Sequence, residues 1–555
     1  MNFLRQHHLW LFFGAWLILN LIQAGTTELF DDEAYYWIYS NYPAWGYFDH
    51  PPMIALLIKA GYSLFPNEFG TRLFIVIMNT ATLIIIRELL DRKNDFLFYA
   101  IAASIAVAQI GGMIAVPDIP LMLFVALFFL LYRRFIEKMN FLNTVLLGIS
   151  IALMLYSKYH GVLIVFFTLL SNPKLFLKYQ TWLAAIIALL LFAPHLYWQY
   201  EHNFPSVQFH LYERSASVYR PTFTLEYIGG QILLAGPLVG WLLIWAAIKQ
   251  RPVNLVQKAL KYSFVGFYVF FLISTLKGRA EANWTVPAFV GLIALSHQWL
   301  MDKPKLSNWI YRTVPLTLLI VFTGRIFMAW DLPVSRSISK DEFHQNKSAA
   351  EIVKAKANGL PVVYTNTYQK PSKYWFYTGE KAFGMNDPNY RRNNFNFWPL
   401  EDSLIGKPAY VIGPRSSYFN DTIPAPRHEG NGGRVIDNYF SFSKVMIKNI
   451  REEYVGKGTI QFTCIIEAPS HYLPYFQASS YDSSSIWIAI YDRKDDVSSY
   501  INTGFTVKEI KEATGPYTLS AVHKLPAGKY HAKLAISSCI PGFPSLNSSG
   551  FKFKL

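Results

Sequence analysis

The chain has 555 residues, of which 52% are hydrophobic, 17% aromatic and 16% charged, against about 25% charged in ordinary soluble domains. That excludes a soluble protein of ordinary composition, yet mean hydropathy is only +0.21, so the apolar residues are concentrated in part of the chain. The 51 Lys and Arg against 36 Asp and Glu leave a net charge of +15. Two cysteines, Cys464 and Cys539, with no CxxC or His/Cys cluster, indicate neither structural zinc nor a dithiol redox motif.

Apolar runs of bilayer-crossing length, about 17–25 residues, dominate as far as Trp330 and then stop. Eleven spans are predicted near 9–24, 71–90, 96–113, 119–136, 141–157, 159–172, 180–197, 224–248, 261–277, 284–300 and 309–330. The first follows Met1–His8 without a convincing small-residue cleavage site and is read as a retained helix. The segment Pro51–Phe65 opens on two prolines and is too short for a comfortable span, so it is predicted to lie at the outer interface.

Orientation follows from the basic residues. Alternate connections carry Arg87, Arg92 and Lys93; Arg133, Arg134 and Lys138; Lys174 and Lys178; Lys249, Arg251, Lys258 and Lys261; then Lys303, Lys305 and Arg312. These are assigned to the cytoplasm. The opposite connections hold Asp31, Asp32, Glu33, Asp49, Asp118, Glu201, Glu213 and Glu281. The basic excess is thus a signal of membrane orientation rather than of nucleic acid. An odd number of spans places everything after Trp330 outside.

Beyond Trp330 the pattern is that of soluble structure. A helix is predicted over 342–358, a strand over 361–366, a short helix over 371–378 and a strand over 409–413, making an α/β module over 331–425. The linker 420–433 contains Pro424, Pro426 and a Gly-rich EGNGG. Alternating segments at 458–467, 485–492, 517–523 and 529–537 predict an all-β sandwich over 434–555. Outside the reducing cytosol Cys464 and Cys539 are free to pair.

The densest chemistry lies in the first outer loop, within residues 25–70, where LFDDEAYYWIYSNYPAWGYFDHPP sets Asp31, Asp32, Glu33, Asp49 and His50 among nine aromatic rings. An aromatic belt at the headgroup level with solvated acids is the structural account. A carboxylate beside low-dielectric surface is also suited to proton abstraction. Asp118, between Pro117 and Pro120, begins a span, as a helix cap would. Lys158 in LMLYSKYHGVL is a lone cation between spans, placed either to snorkel or to meet an anion. Arg279, Glu281 and Asn283 in KGRAEANW form a further outer cluster.

DDEAYYW, YFDHPP, VPDIP, SKYHG, PHLYWQYEHNF and GRAEANW, in that order and on one side of the membrane, resemble the motifs of GT-C fold membrane glycosyltransferases. The likeness is to bacterial relatives of protein O-mannosyltransferases and of the lipid A aminoarabinose transferase. It covers roughly residues 1–330 and continues weakly to about 415. The resemblance implies a polytopic transferase in the bacterial cytoplasmic membrane with its C-terminal region periplasmic. It further implies a polyprenyl-phosphate-linked sugar donor, a glycan, lipid or protein acceptor, and inversion at the anomeric carbon. It makes Asp32 the candidate general base and Asp118 the second acid. Lys158, with Arg214 and Arg279, would meet the donor phosphate; Glu33, Tyr35, His50, Glu281 and Asn283 would line the substrate loops.

No cofactor is required by that chemistry, because polyprenyl phosphate leaves readily. A divalent metal on Asp49 and His210 is optional. Two positions depart from the lipid A branch: Tyr35 and His50 stand where basic residues are expected, which weakens lipid A as the acceptor. A transporter or flippase of lipid-linked saccharides is the rival reading. Transporters place ionisable groups near the bilayer midplane and are often built from repeats; here the acids cluster in outer loops and no repeat is visible.

Overall fold

A computed structural model describes residues 2–213, 219–333, 341–424, 430–456, 458–492 and 495–555. It divides into two units: one holds residues 1–210, 214–338 and 342–344, and the other is chiefly Gln345–Leu555.

Sixteen helices build the first unit among the described residues: α1 (Asn2–Thr26), α2 (Asp31–Asn41), α3 (Met53–Leu64), α4 (Glu68–Leu89), α5 (Asp95–Ser104), α6 (Ala106–Gln109), α7 (Asp118–Glu137), α8 (Phe141–Ser157), α9 (Gly161–Ser171), α10 (Tyr179–Glu201), α11 (Pro205–Gln208), α12 (Pro221–Ala235), α13 (Gly240–Lys249), α14 (Leu255–Ser274), α15 (Phe289–Leu300) and α16 (Pro304–Ala329). Every expected span is helical, but not every span is one straight rod. Six helices (α1, α4, α7, α10, α14 and α16) are long and apolar enough to cross a membrane unbroken. The expected spans 96–113 and 224–248 are bent pairs, at 85° after α5 and at 91° between α12 and α13. Gly236 makes the second bend: its φ is +139°, and a Cβ there would lie 2.7 Å from the Ser104 carbonyl oxygen. Helices α8 and α9 are shorter, at 17 and 11 residues.

Lipid offers no hydrophobic gain for helix association, so close approach depends on small residues. Gly148 of α8 packs on α10, where a Cβ would lie 2.8 Å from the Ala184 carbonyl oxygen. Gly61 lets the 12-residue α3 lie directly on α4. Asn67, Asn94, Asn140 and Asn254 cap α4, α5, α8 and α14 by accepting backbone N–H bonds.

The connections assigned to the cytoplasm meet at one end. Arg92 pairs with Asp302 at 2.8 Å, Asn254 and Gln257 donate to Asp91, and Arg133 donates to the Glu88 carbonyl. The other connections gather at the opposite end, where Glu33 accepts the Ala115 N–H and Asp118 meets Lys158 and Asn283.

In the second unit, α17 (Asn346–Ala357) and α18 (Gln369–Thr378) accompany a five-stranded sheet. Its strands are β1 (Val362–Thr365), β2 (Ala382–Met385), β3 (Ala409–Pro414), β4 (Asp421–Ile423) and β5 (Asn431–Ile436), in the order β2-β1-β3-β5-β4. β1 runs parallel to β2 and β3, and β5 is antiparallel to β3 and β4.

Antiparallel strands follow: β6 (Met446–Gly456), β7 (Thr459–Glu467), β8 (Ser485–Tyr491), β9 (Val497–Thr506), β10 (Thr514–Val522), β11 (Lys529–Ile536), β12 (Ser545–Leu546) and β13 (Phe551–Lys554). They form a β10-β7-β6 sheet and a β12-β11-β8-β9 sheet, with β13 on β11. Alternate residues of β7, Ile460, Phe462, Cys464 and Ile466, are buried with Ile486, Ile488 and Ile490 of β8 and with Leu534 and Ile536 of β11, as a two-sheet core requires. The expected module boundary near residue 434 falls inside β5. Cys464 and Cys539 are both free thiols.

Candidate active site

Asp31, Asp32 and Glu33 fill the first turn of α2, where free backbone N–H groups and the helix dipole favour carboxylates. Asp31 and Asp32 are half-buried, whereas Glu33 is wholly buried. Glu33 is pinned by Arg72 of α4: Nε donates to Oε1 at 2.7 Å and Nη2 to Oε2 at 2.5 Å. Arg72 also donates to the carbonyls of Ala24, Thr27 and Glu28, so one guanidinium gathers the end of α1 and the start of α2. Glu33 Oε1 also accepts the Ala115 backbone N–H at 2.6 Å, three residues ahead of Asp118. This corrects the expectation that Glu33 lines the substrate loop, because its carboxylate is consumed by internal bonds. Tyr35, also expected in the substrate loop, is only 1% exposed and packs edge-on against Tyr39.

Asp118 opens α7 and is buried. Its Oδ1 accepts from Lys158 Nζ at 2.7 Å and its Oδ2 from Asn283 Nδ2 at 3.1 Å. The start of α7, the α8–α9 connection and the α14–α15 connection therefore meet here, with Asp118 and Lys158 buried and Asn283 exposed. Lys158, expected beside the donor phosphate, is bound to the second acid. One of its three ammonium donors is used by Asp118. Arg279 lies apart at the surface, 62% exposed, with Glu226 at 3.2 Å and Glu281 at 4.0 Å. Arg214 lies outside the described residues.

Asp49 is buried and its Oδ1 accepts from the Tyr39 hydroxyl at 2.5 Å. Burial, with the Asp49 carboxylate alongside, raises the Tyr39 hydroxyl well above the ordinary phenol range, which keeps it a proton donor to Asp49. His210 Nε2 donates to the Asp49 backbone carbonyl at 2.9 Å, and its ring lies 6.5 Å from that of His50. Of the two residues expected to hold the optional metal, Asp49 thus accepts the Tyr39 hydrogen bond through Oδ1 and His210 bonds the Asp49 carbonyl through Nε2. Among the described residues no group of three or more His, Cys, Asp or Glu could hold a metal ion.

Arg72 had a signal in the sequence that motif reading passed over, since an arginine inside an apolar span demands a partner. Tyr159 and His195 were missed because tyrosine and histidine at a membrane interface are ordinary. Both lie inside quoted motifs, SKYHG and PHLYWQYEHNF.

Residues 49–198 match the family model described as dolichyl-phosphate-mannose-protein mannosyltransferase. The chain is 23% identical over 307 residues to the lipid A galacturonosyltransferase RgtD of Rhizobium johnstonii, covering 52% of this chain and 64% of that protein. It is 24% identical over 306 residues to an uncharacterized protein of Aquifex aeolicus, covering 50% of this chain and 60% of the relative. The match thus spans less than two thirds of the length of either. Among solved structures, ArnT from Cupriavidus metallidurans bound to undecaprenyl phosphate aligns with a TM-score of 0.53 at 13% identity, over 77% of this chain and 97% of that one. Its apo state gives 0.55 at 12% identity, over 77% and 98%. The fold is that of the GT-C membrane glycosyltransferases, a helical membrane part followed by a β-containing C-terminal part.

Proposed function

We propose that this chain is an integral membrane glycosyltransferase that moves a sugar from a polyprenyl-phosphate-linked donor to an acceptor at the outer face of the bacterial cytoplasmic membrane, with inversion. The observation that carries this reading is the buried Asp118–Lys158 pair, joined from the surface by Asn283, at the end of the helical unit where α2 presents Asp32. Displacing a phosphate from an anomeric carbon needs positive charge at the leaving oxygen and a carboxylate to take the proton of the incoming hydroxyl. Lys158, steadied by Asp118 through one N–H, has two further donors to offer a phosphate. Asp32, half-buried in the first turn of α2, is the base. Asp118 acts by orienting Lys158 and Asn283.

The ArnT structure bound to undecaprenyl phosphate supports the donor class. The likeness to RgtD, a lipid A galacturonosyltransferase by name, supports lipid A among the acceptors, beside other glycans and proteins. The test is release of polyprenyl phosphate from a radiolabelled lipid-linked sugar. Asp32→Asn should lower turnover by about 100-fold or more, the scale of a lost general base, in a protein that still folds and inserts. Turnover retained by that variant removes the base assignment. A donor carried across the membrane intact, with no phosphate released, makes the protein a flippase instead.

A further inference from the structure

Two of the motifs on the outer side, SKYHG and PHLYWQYEHNF, contribute Tyr159, His195 and Gln199, residues that the proposed chemistry does not use. They meet, with Ser206 of α11, in one buried network. His195 Nδ1 lies 2.7 Å from the Trp45 carbonyl oxygen and Nε2 lies 3.0 Å from the Tyr159 hydroxyl. Gln199 Nε2 donates to Tyr159 Oη at 3.1 Å and to Ser206 Oγ at 2.8 Å. Ser206 donates to the Tyr47 carbonyl at 3.0 Å. His195 is fully buried, and Gln199 and Ser206 nearly so.

The proton positions follow from the partners. A carbonyl only accepts, so Nδ1 of His195 carries a hydrogen and Nε2 of the neutral ring is an acceptor facing the Tyr159 hydroxyl; that hydroxyl also lies 2.9 Å from Ser206 Oγ, so its one hydrogen serves either the ring or the serine. Every member holds the next. The two carbonyls at the far end of the network, Trp45 and Tyr47, flank Gly46, where a Cβ would lie 2.5 Å from Trp198 Cε3 and 2.9 Å from His195 Nδ1. The first outer loop is therefore seated on the outer end of α10. That loop continues within two residues to Asp49, and Tyr159 directly follows Lys158.

We propose that Tyr159, His195, Gln199 and Ser206 form a latch that fixes the Trp45–His50 loop against the linker bearing Lys158, and so sets the seat of the donor phosphate. Resting on the transferase reading for its consequence, the latch makes His195 and Tyr159 positioning residues. His195 can be replaced by glutamine, whose amide N–H serves the Trp45 carbonyl and whose oxygen accepts from Tyr159.

The full chain in nanodiscs, as wild type and as Tyr159→Phe, His195→Ala and His195→Gln, provides the test by two measurements. Hydrogen exchange should rise in residues 42–50 and 158–161 for Tyr159→Phe and His195→Ala, stay low for His195→Gln, and be unchanged in α7 throughout. In the release of undecaprenyl phosphate from a lipid-linked sugar, the first two variants should raise KM about tenfold, the weight of one buried hydrogen bond. kcat should change by no more than about twofold, because seating is lost and not chemistry. Exchange unchanged in both segments overturns the latch, as does a loss that glutamine fails to rescue or that falls on kcat alone. A wild type that releases no undecaprenyl phosphate but shows the exchange pattern defeats the transferase reading and leaves the latch standing.

Discussion

Asp32, proposed as the base, and Glu33 are neighbours with the same functional group in opposite surroundings. Asp32 sits half-buried in an open helix turn, while Glu33 is enclosed by two Arg72 nitrogens and the Ala115 N–H. An ion pair this deep is costly to break on one side, because the remaining charge is left unpaired in a low-dielectric interior. Arg72→Met should lower stability by about 3–5 kcal/mol, the cost of orphaning a buried partner. Arg72→Met with Glu33→Leu should recover much of that loss, since an apolar pair leaves no charge behind. Thermal unfolding in detergent decides it, and a double variant no better than the single one would show that the pair is not the source of the loss. That Asp118, Lys158 and Asn283 share one side with Asp32 was legible from alternating loop charge. Which carboxylate is structural was not, because Arg72 is 39 residues from Glu33 and only the fold brings them together.

Among the elements, those with an unambiguous period were readable. Residues 342–358 were expected to be helical and form α17 at Asn346–Ala357; 409–413 was expected to be a strand and forms β3. The helix bends leave no mark in the hydropathy, because the apolar run continues on both sides of each break. At the α12–α13 bend the local mark is the pair Gly236 and Pro237. Both residue types are frequent in membrane helices, so the pair does not by itself announce a right-angled turn, yet the backbone at Gly236 is one that L side chains rarely adopt. Strands β2 and β9 are equally hard to see in the sequence: β2 has four residues, all buried, and β9 is polar along much of its length, so neither shows clean alternation. Gly236→Ala tests the bend. Strained φ and the contact with the Ser104 carbonyl together should cost about 1–3 kcal/mol. The same change at Gly229, within α12 and with nothing near its Cβ, should be neutral or slightly stabilising by helix propensity. Equal stability of the two variants would mean that the bend is set elsewhere, with Pro237 the next residue to replace.

At the scale of the whole molecule, the sequence divides the C-terminal portion into an α/β module and a sandwich, whereas the structure ties these two parts into one unit. The tie is polar and buried. Glu401, between β2 and β3 in the chain, accepts from Ser443 Oγ at 2.7 Å, the Ser443 N–H at 3.1 Å and the Ser441 hydroxyl. Tyr472 Oη donates to Glu401 at 3.3 Å and to Asp402 at 2.9 Å, and Lys444 pairs with Asp402 at 2.6 Å. The Leu546 N–H reaches the Asn386 carbonyl as well. Burial pushes the Glu401 carboxyl above its ordinary range even against the serine hydrogen bonds that oppose it, so its donors cannot be removed without consequence. A chain ending after Asp437 keeps all five strands of the first sheet and the whole of its apolar cluster. By apolar burial alone it should survive. It loses every one of these donors, however, and the 401–405 segment is left without the bonds that hold it, each worth about 0.5–1.5 kcal/mol net and more to a charged group, a large share of the stability of a small module. Limited proteolysis of the truncated protein in membranes should therefore cleave within residues 345–437, where the full chain is protected. Equal protection in both would establish that the α/β module stands on its hydrophobic core without the sandwich, and that the Glu401 network is an accessory to a fold already complete.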